Sequence, residues 1–506
     1  MSAPENMPRR NLLALGAGGG LLSKASLHSF SEAHAAAGNE PVSEMALEPG
    51  WLLRWQDGEA LLERDMHILI RHDRIVAVQD KPLPTSIPRL KMDNCLLMPG
   101  FISGHTHVCS GTPTRGIIET PGRGDVRPLE LVETLLDDDD LDALTEFNLA
   151  ELLLSGCTTQ LEMSTTLRQA ESYVRVAKRL SARGYPGAMI PNITRVMPIK
   201  TAQDDRVLTD AEPETLAEIE RYLKFGLRHQ NTSDGRIRPM ISPLGCDTQT
   251  PATMRAIASA AQQLGTGIHI HLAYTPQENS NVRRRWNRTS AQWCEDYGFF
   301  EGPFFGAHFS HGDWAIDAPI LRRHGAIYSH CPSVSGAGGP TQPYPEALGH
   351  GLKVNVGIDT HSNDYLENLK LAVILGQARY HLLKDVSDLP LQEPTITEAV
   401  RGATLYPADA LGRHDLGRIE EGALADLIAI DVSGFLVGSG ALPPEPLHNL
   451  LYSSGRFVRH VMTGGVVQVR DGRLEVADSK RVMQQGAKAV EKIWAALEAE
   501  GFFVSP

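Results

Sequence analysis

The segment Pro99-Gly100-Phe101-Ile102-Ser103-Gly104-His105-Thr106-His107 constrains this chain most. It follows an apolar run, Cys95 to Met98, that reads as a strand. Side chains two apart on a strand face the same way, so His105 and His107 can reach one metal ion, for which neutral imidazole is the commonest ligand. The flanking glycines let the backbone turn sharply and approach its neighbours closely. Three later segments are short apolar strands, each closed by a ligand-type residue: Gly267 to His271, Phe304 to His308 and Val354 to Asp359. In a parallel (β/α) barrel the C-terminal strand ends converge on one face, where such barrels keep their active sites.

The middle of the chain alternates strand and helix as that fold requires. Strands are expected at Leu96–Gly100, Thr158–Met163, Tyr185–Ile193, Ile237–Ile241, Gly267–His271, Phe304–His308, Ala326–Ser329 and Val354–Ile358. Eight strands suffice to close a barrel. Helices Leu141–Ser155, Leu167–Ala182, Glu212–Gln230 and Pro251–Leu264 fill the gaps. The two ends of the chain carry short strands broken by turns such as Asp57-Gly58 and Arg470-Asp471-Gly472-Arg473. The expected fold is therefore α/β: a (β/α)8 TIM-type barrel over 99–406, with a small β-sandwich built from 41–98 and 407–478. A helix within 479–506 closes the chain. The Gly/Pro-rich segment Val108–Asp139 is expected to be a loop walling the pocket, because loops of that length are usually functional.

Of the 506 residues, 42% are hydrophobic and 22% charged, ordinary values for a globular protein. A formal charge of −13 argues against nucleic acid or an acidic membrane as partner. No run after the N-terminal segment reaches the ~18 apolar residues of a spanning helix. The expected partner is a small-molecule substrate, and self-association into a homo-oligomer stays open. Six scattered cysteines with no C-x-x-C pair imply neither a disulfide scaffold nor a zinc ribbon. Residues 1–40 hold Arg9-Arg10 before a weakly apolar, glycine-rich stretch, then the small-residue cluster Ala33 to Gly38. This reads either as a twin-arginine signal for export to the periplasm or as an N-terminal extension of a cytoplasmic enzyme.

Taken together, Met98-Pro99-Gly100-Phe101, His105, His107, His271, His308 and Asp359 resemble the amidohydrolase superfamily, in its cytosine-deaminase-like, aminotriazine hydrolase branch. His330-Cys331-Pro332, Ser362-Asn363, Gly402-Ala403-Thr404 and Gly417 to Leu427 extend the resemblance, which runs from about Pro41 to Val476. It implies His105, His107, His271 and Asp359 as ligands of one divalent metal ion, Zn2+ or Fe2+. The metal lowers the pKa of a water to give a hydroxide nucleophile, and Asp359 handles its proton. The resemblance gives His308 the role of polarising the substrate or orienting the hydroxide. His269 lies one layer deeper than His271 and is expected to pack or to support a ligand. Two-metal relatives use a lysine on the fourth strand; Ile237 to Ser242 contains none, so a single metal is expected.

The implied activity is hydrolysis of a non-peptide C–N bond in a small cyclic or heteroaromatic molecule. Two positions depart from the family. Its deaminases carry a glutamate three residues after the strand-five histidine, and here that position is Tyr274. A phenol of pKa near ~10 is a poor proton shuttle, although it can donate a hydrogen bond. Glu278, four residues further on, could reach inward, but a loop glutamate is more often solvated. After His330-Cys331-Pro332, Ser335 stands where the family has asparagine. Both departures leave open a non-deaminating reaction on the same metal: amide hydrolysis, dechlorination or a lyase step.

Overall fold

The computed structural model describes residues 40–117, 126–201, 204–334 and 342–503. The Arg9-Arg10 motif, the alanine cluster and Ser335 lie outside them.

The barrel strands, numbered within the whole chain, are β6 (Phe101–Thr106), β7 (Cys157–Ser164), β8 (Arg183–Ile190), β9 (Ser242–Pro243), β10 (Ile268–Leu272), β11 (Phe304–His308), β12 (Ile327–His330) and β13 (Lys353–Val356). They form two parallel four-stranded arcs, β6-β7-β8-β9 and β10-β11-β12-β13. Parallel bridges Ile241↔Ile268 and Thr106↔Asp359 join the arcs into a ring. Every residue of β7 and β8 is buried, as expected for parallel strands covered on both faces. Towards the strands' N-terminal ends, Ile102, Leu161, Tyr185, Met240, Phe305 and Ile327 pack with Leu411, Leu416 and Leu424 and plug the barrel. The surrounding helices start where the side chains dictate. Thr250 accepts from the Thr253 amide in a capping box, Pro251 opens the helix, and Gly265 at φ +67° ends it, giving Pro251–Leu264.

Outside the barrel, both ends of the chain build one sheet. From the N-terminal side come β1 (Glu44–Gln56), β2 (Glu59–Glu63), β3 (His67–Arg71), β4 (Arg74–Gln79) and β5 (Arg89–Pro99). From the C-terminal side come β14 (Leu427–Asp431), β15 (Val458–Thr463), β16 (Val466–Arg470) and β17 (Arg473–Leu474). The order is β17-β16-β15-β14-β5-β1-β3-β4, with β2 on β1. The hairpin turns Asp57-Gly58 (φ +52°, +81°) and Asp471-Gly472 (φ +51°, +75°) have the two positive φ values that a two-residue loop of matching twist needs. The sheet has its own core, including Leu47, Ile68, Leu97, Ala425 and Met462. Arg183 of β8 ties barrel to sheet through two bonds to the Asp426 carboxylate (2.7 and 3.0 Å), with both side chains buried.

Three expectations need correction. The apolar run before Gly100 is not the first barrel strand; it belongs to β5, which pairs with β1 and β14, and the barrel begins at Phe101. Because β5 pairs on both sides, the strands from the two chain ends join into one hydrogen-bonded nine-stranded sheet round a shared core. The fourth barrel strand does not span Ile237–Ile241. Pro239 has no N–H to pair, and isolated bridges at Ile237 and Ile241 precede the short β9. The expected loop Val108–Asp139 contains a 3-10 turn, Thr112–Thr114, and a helix, Val126–Leu135. Helix Ser479–Ala499 closes the chain and packs on helix Asp138–Leu154, with Gly486 against Phe147.

Candidate active site

The C-terminal strand ends bring the expected residues together. His105 lies near the end of β6, with His107 just past it; His271 is on β10, His308 closes β11, and Asp359 follows β13. The ligand atoms of His105, His107 and His271 lie within 4.8 Å of one another, as do those of His105, His308 and Asp359. His105, His107 and His308 hold Nε2 at 3.9, 3.4 and 3.6 Å from the Asp359 carboxylate. Asp359 is fixed there by its backbone. Its amide donates to His105 O (3.1 Å), and its carbonyl accepts from the His107 amide (3.3 Å). His308 (φ +75°) and Asp359 (φ +62°) are both left-handed, a conformation that side-chain-bearing residues adopt at a cost and that clusters at functional sites. The close packing beneath also explains a glycine: a Cβ on Gly104 would lie 2.2 Å from Asn355 Oδ1, which accepts the Gly104 amide.

The outer nitrogens show which tautomer each neutral ring takes. His107 Nδ1 bonds Met163 O (2.6 Å) and His271 Nδ1 bonds Leu244 O (2.8 Å). A carbonyl only accepts, so each Nδ1 carries the proton and each Nε2 presents a lone pair to the centre. His105 Nδ1 bonds His269 Nε2 (2.8 Å), so His269 supports a ligand from one layer below, as expected. Burial, and secondarily the neighbouring imidazoles, hold His105 and His271 well below the usual histidine range and therefore neutral. His105 Nε2 is buried without a hydrogen-bond partner. An orphaned lone pair beside two others and a carboxylate fits a divalent cation.

His308 differs. Gln342 Oε1 accepts the Cys331 amide (2.8 Å), which turns Gln342 Nε2 towards His308 Nδ1 (3.2 Å). There Nδ1 accepts, so the proton of the neutral ring sits on Nε2, facing Asp359. His308 is thus presented as a hydrogen-bond donor. Gln342 follows a Gly/Pro-rich stretch and nothing in the sequence marks it. Glu162 was also missed: its buried carboxylate accepts from the Val108 amide (2.7 Å), Thr106 Oγ1 (3.1 Å) and Ser164 Oγ (2.8 Å), pinning the turn that carries His107. Burial raises its pKa, with His107 opposing. A lone acid in the apolar strand Thr158–Met163 was the available signal.

The Tyr274 ring lies beside the site, 5.3 Å from that of His271 and 6.3 Å from that of His308. Its hydroxyl meets Lys200 Nζ, from helix Ile193–Thr201. Burial, then Asp247 and Glu278, push the phenol well above its usual range. Glu278 corrects an expectation, because it is buried rather than solvated. It accepts from the Tyr274 amide (2.8 Å) and Ser290 Oγ (3.1 Å), and burial followed by Asp247 pushes its pKa up to about 8. Both of its oxygens are engaged in holding the loop, so it does not fill the missing glutamate's place. Helix Tyr365–Leu383, which follows Asp359, is capped by Asp364.

The Amidohydrolase family profile matches residues 96–467. The 5-methylthioadenosine/S-adenosylhomocysteine deaminase of Desulfitobacterium hafniense is 28% identical over 84% of this chain and 93% of its own length. The 5'-deoxyadenosine deaminase of Methanopyrus kandleri is 27% identical over 79% and 86%. Among solved structures, a zinc complex of atrazine chlorohydrolase from Arthrobacter aurescens superposes with a TM-score of 0.73 at 20% identity, covering 88% of this chain and all of that one. A zinc-bound adenosine deaminase from Xanthomonas campestris gives 0.71 at 22%, covering 89% and 98%.

Proposed function

The chain belongs to the amidohydrolase family and is a metal-dependent hydrolase of non-peptide carbon–nitrogen bonds in small molecules, and we propose that it removes the exocyclic amino group of a purine nucleoside-like heterocycle. The observation that carries the proposal is the convergence of His105, His107 and His271 on one another, with the Asp359 carboxylate beside His105, His107 and His308. Similarity to deaminases of adenine-containing compounds over most of the chain supports the substrate class.

His105, His107, His271 and Asp359 would hold a divalent ion, Zn2+ or Fe2+, which would supply Lewis acidity to bring the pKa of water towards neutrality. The remaining chemistry falls to the chain. Water attacks the ring carbon that bears the amino group, and Asp359 takes its proton. His308 donates from Nε2 to the attacking oxygen. Asp359 then returns the proton to the departing nitrogen, the C–N bond breaks, and ammonia leaves.

A second reading keeps the metal and the water but expels another leaving group. It is favoured by Tyr274 in the glutamate position and by Glu278 being engaged elsewhere. Assaying zinc-loaded protein on aminopurine nucleosides, chlorotriazines, amides and lactams separates the two. Ammonia release from an aminopurine nucleoside supports deamination, whereas chloride release, or hydrolysis of an amide or lactam, with no ammonia from any aminopurine rejects it.

A further inference from the structure

We propose that Lys200 is a positioning residue that turns the Tyr274 hydroxyl proton into the active site, where it donates to the ring nitrogen beside the attacked carbon. The proposal rests on the heterocyclic reading of the substrate. Lysine's ammonium has three donors and no acceptor, so where Lys200 Nζ meets the phenol the tyrosine oxygen must accept. The phenol's single proton is left for another partner, and among the described residues Tyr274 Oη bonds no protein acceptor. The ring lies beside His271 and His308, so a substrate seated over these histidines is the partner we assign to that proton.

Two further contacts hold this arrangement. Lys200 Nζ lies 4.4 Å from the Tyr274 ring centroid, where an ammonium is attracted to the aromatic face. Burial raises the pKa of the nearby Asp247 carboxyl, and the Lys200 ammonium opposes that rise. Tyr274 itself is anchored from behind, since Glu278 accepts its amide. The missing glutamate would have carried a proton to the ring nitrogen. An oriented tyrosine gives that nitrogen a hydrogen bond without changing its own charge, stabilising electron density that builds there during attack. No proton is transferred by the pair.

The test is a double-mutant cycle of Lys200→Met and Tyr274→Phe in zinc-loaded protein, with Lys200→Arg as the conservative variant. Each single substitution is expected to lower kcat by roughly ten- to a thousandfold, the range for losing one positioned donor, with metal content unchanged. The double variant should be no slower than the slower single, and Lys200→Arg should recover part of the loss. Wild-type kcat in Lys200→Met, or a double-variant loss equal to the product of the singles, overturns the proposal. Carbon-13 NMR of protein labelled at tyrosine Cζ gives a substrate-free readout. The Tyr274 resonance, identified by its loss in Tyr274→Phe, should move in Lys200→Met. An unmoved resonance rejects the lysine contact whatever the substrate. A moved resonance with no ammonia from any aminoheterocycle keeps the contact and rejects the deaminase reading.

Discussion

Replacing Glu278 by glutamine should make stability less dependent on pH, and the size of the change follows from the carboxyl's burial. Its pKa is raised from 4.5 to about 8, first by burial and then by Asp247. A raised carboxyl pKa means that the folded state holds the proton more tightly than the unfolded one. Stability from this group is therefore full below pH 4.5 and is lost as pH rises through 8. Between pH 5.5 and 8 the loss is about 3 kcal/mol at 1.36 kcal/mol per unit. Glutamine has the same shape, can accept the Tyr274 amide through its oxygen and can donate to Ser290 Oγ, but it does not titrate. Glu278→Gln should therefore gain about 3 kcal/mol on the wild type between pH 5.5 and 8. Denaturant unfolding of metal-loaded protein at the two pH values reads this difference. A variant whose stability relative to wild type is the same at both pH values, or falls at pH 8, would refute the argument. Its turnover should stay within a few-fold of wild type, because Glu278 holds a loop rather than substrate.

Other outcomes are as direct. His107→Ala should lose the metal, because it removes a lone pair aimed at the centre by the Met163 carbonyl; full occupancy by elemental analysis would reject its role. Asp359→Asn should fold, since its backbone bonds remain, yet lose activity by several orders of magnitude, as an amide cannot take the water's proton; steady-state kinetics with circular dichroism checks both. Export is proposed from Arg9-Arg10 and the alanine cluster alone, and mass spectrometry of protein from its native cell should find an N-terminus near Gly38; intact Met1 or Ser2 in a cytosolic fraction would refute it.

The barrel and the residues gathered at its mouth were legible because both rest on short-range patterns. Apolar runs closed by His271, His308 and Asp359 mark strand ends, and strand ends are where a barrel gathers side chains. The boundary at Gly100 was not legible: β5 reads like any buried strand, and only its partners β1 and β14, distant in sequence, assign it to the outer sheet. Pro239 was a visible warning against a regular fourth strand. Tyr274 could be found by its place three residues after His271. Its partner Lys200 could not, since 74 residues separate them and a lysine near a helix end looks like any surface charge. Gln342 was hidden for the same reason: its significance lies in two contacts, to the Cys331 amide and the His308 ring, that exist only once the loop has closed.

The shared outer sheet also sets a timetable for the chain's birth. Pro99 pairs with Leu427, so β5 meets its second neighbour only after about 330 more residues have been made, at a loop-closure cost that grows slowly with length. At ~5–20 residues per second, β5 waits tens of seconds with one edge unpaired. An open apolar edge invites pairing with other chains, and Cys95 to Met98 of β5 are all buried once the sheet is complete. A nascent chain is thus most exposed to aggregation while its barrel is being synthesised. Truncation before Leu427 would make that transient state permanent even though every barrel strand is present.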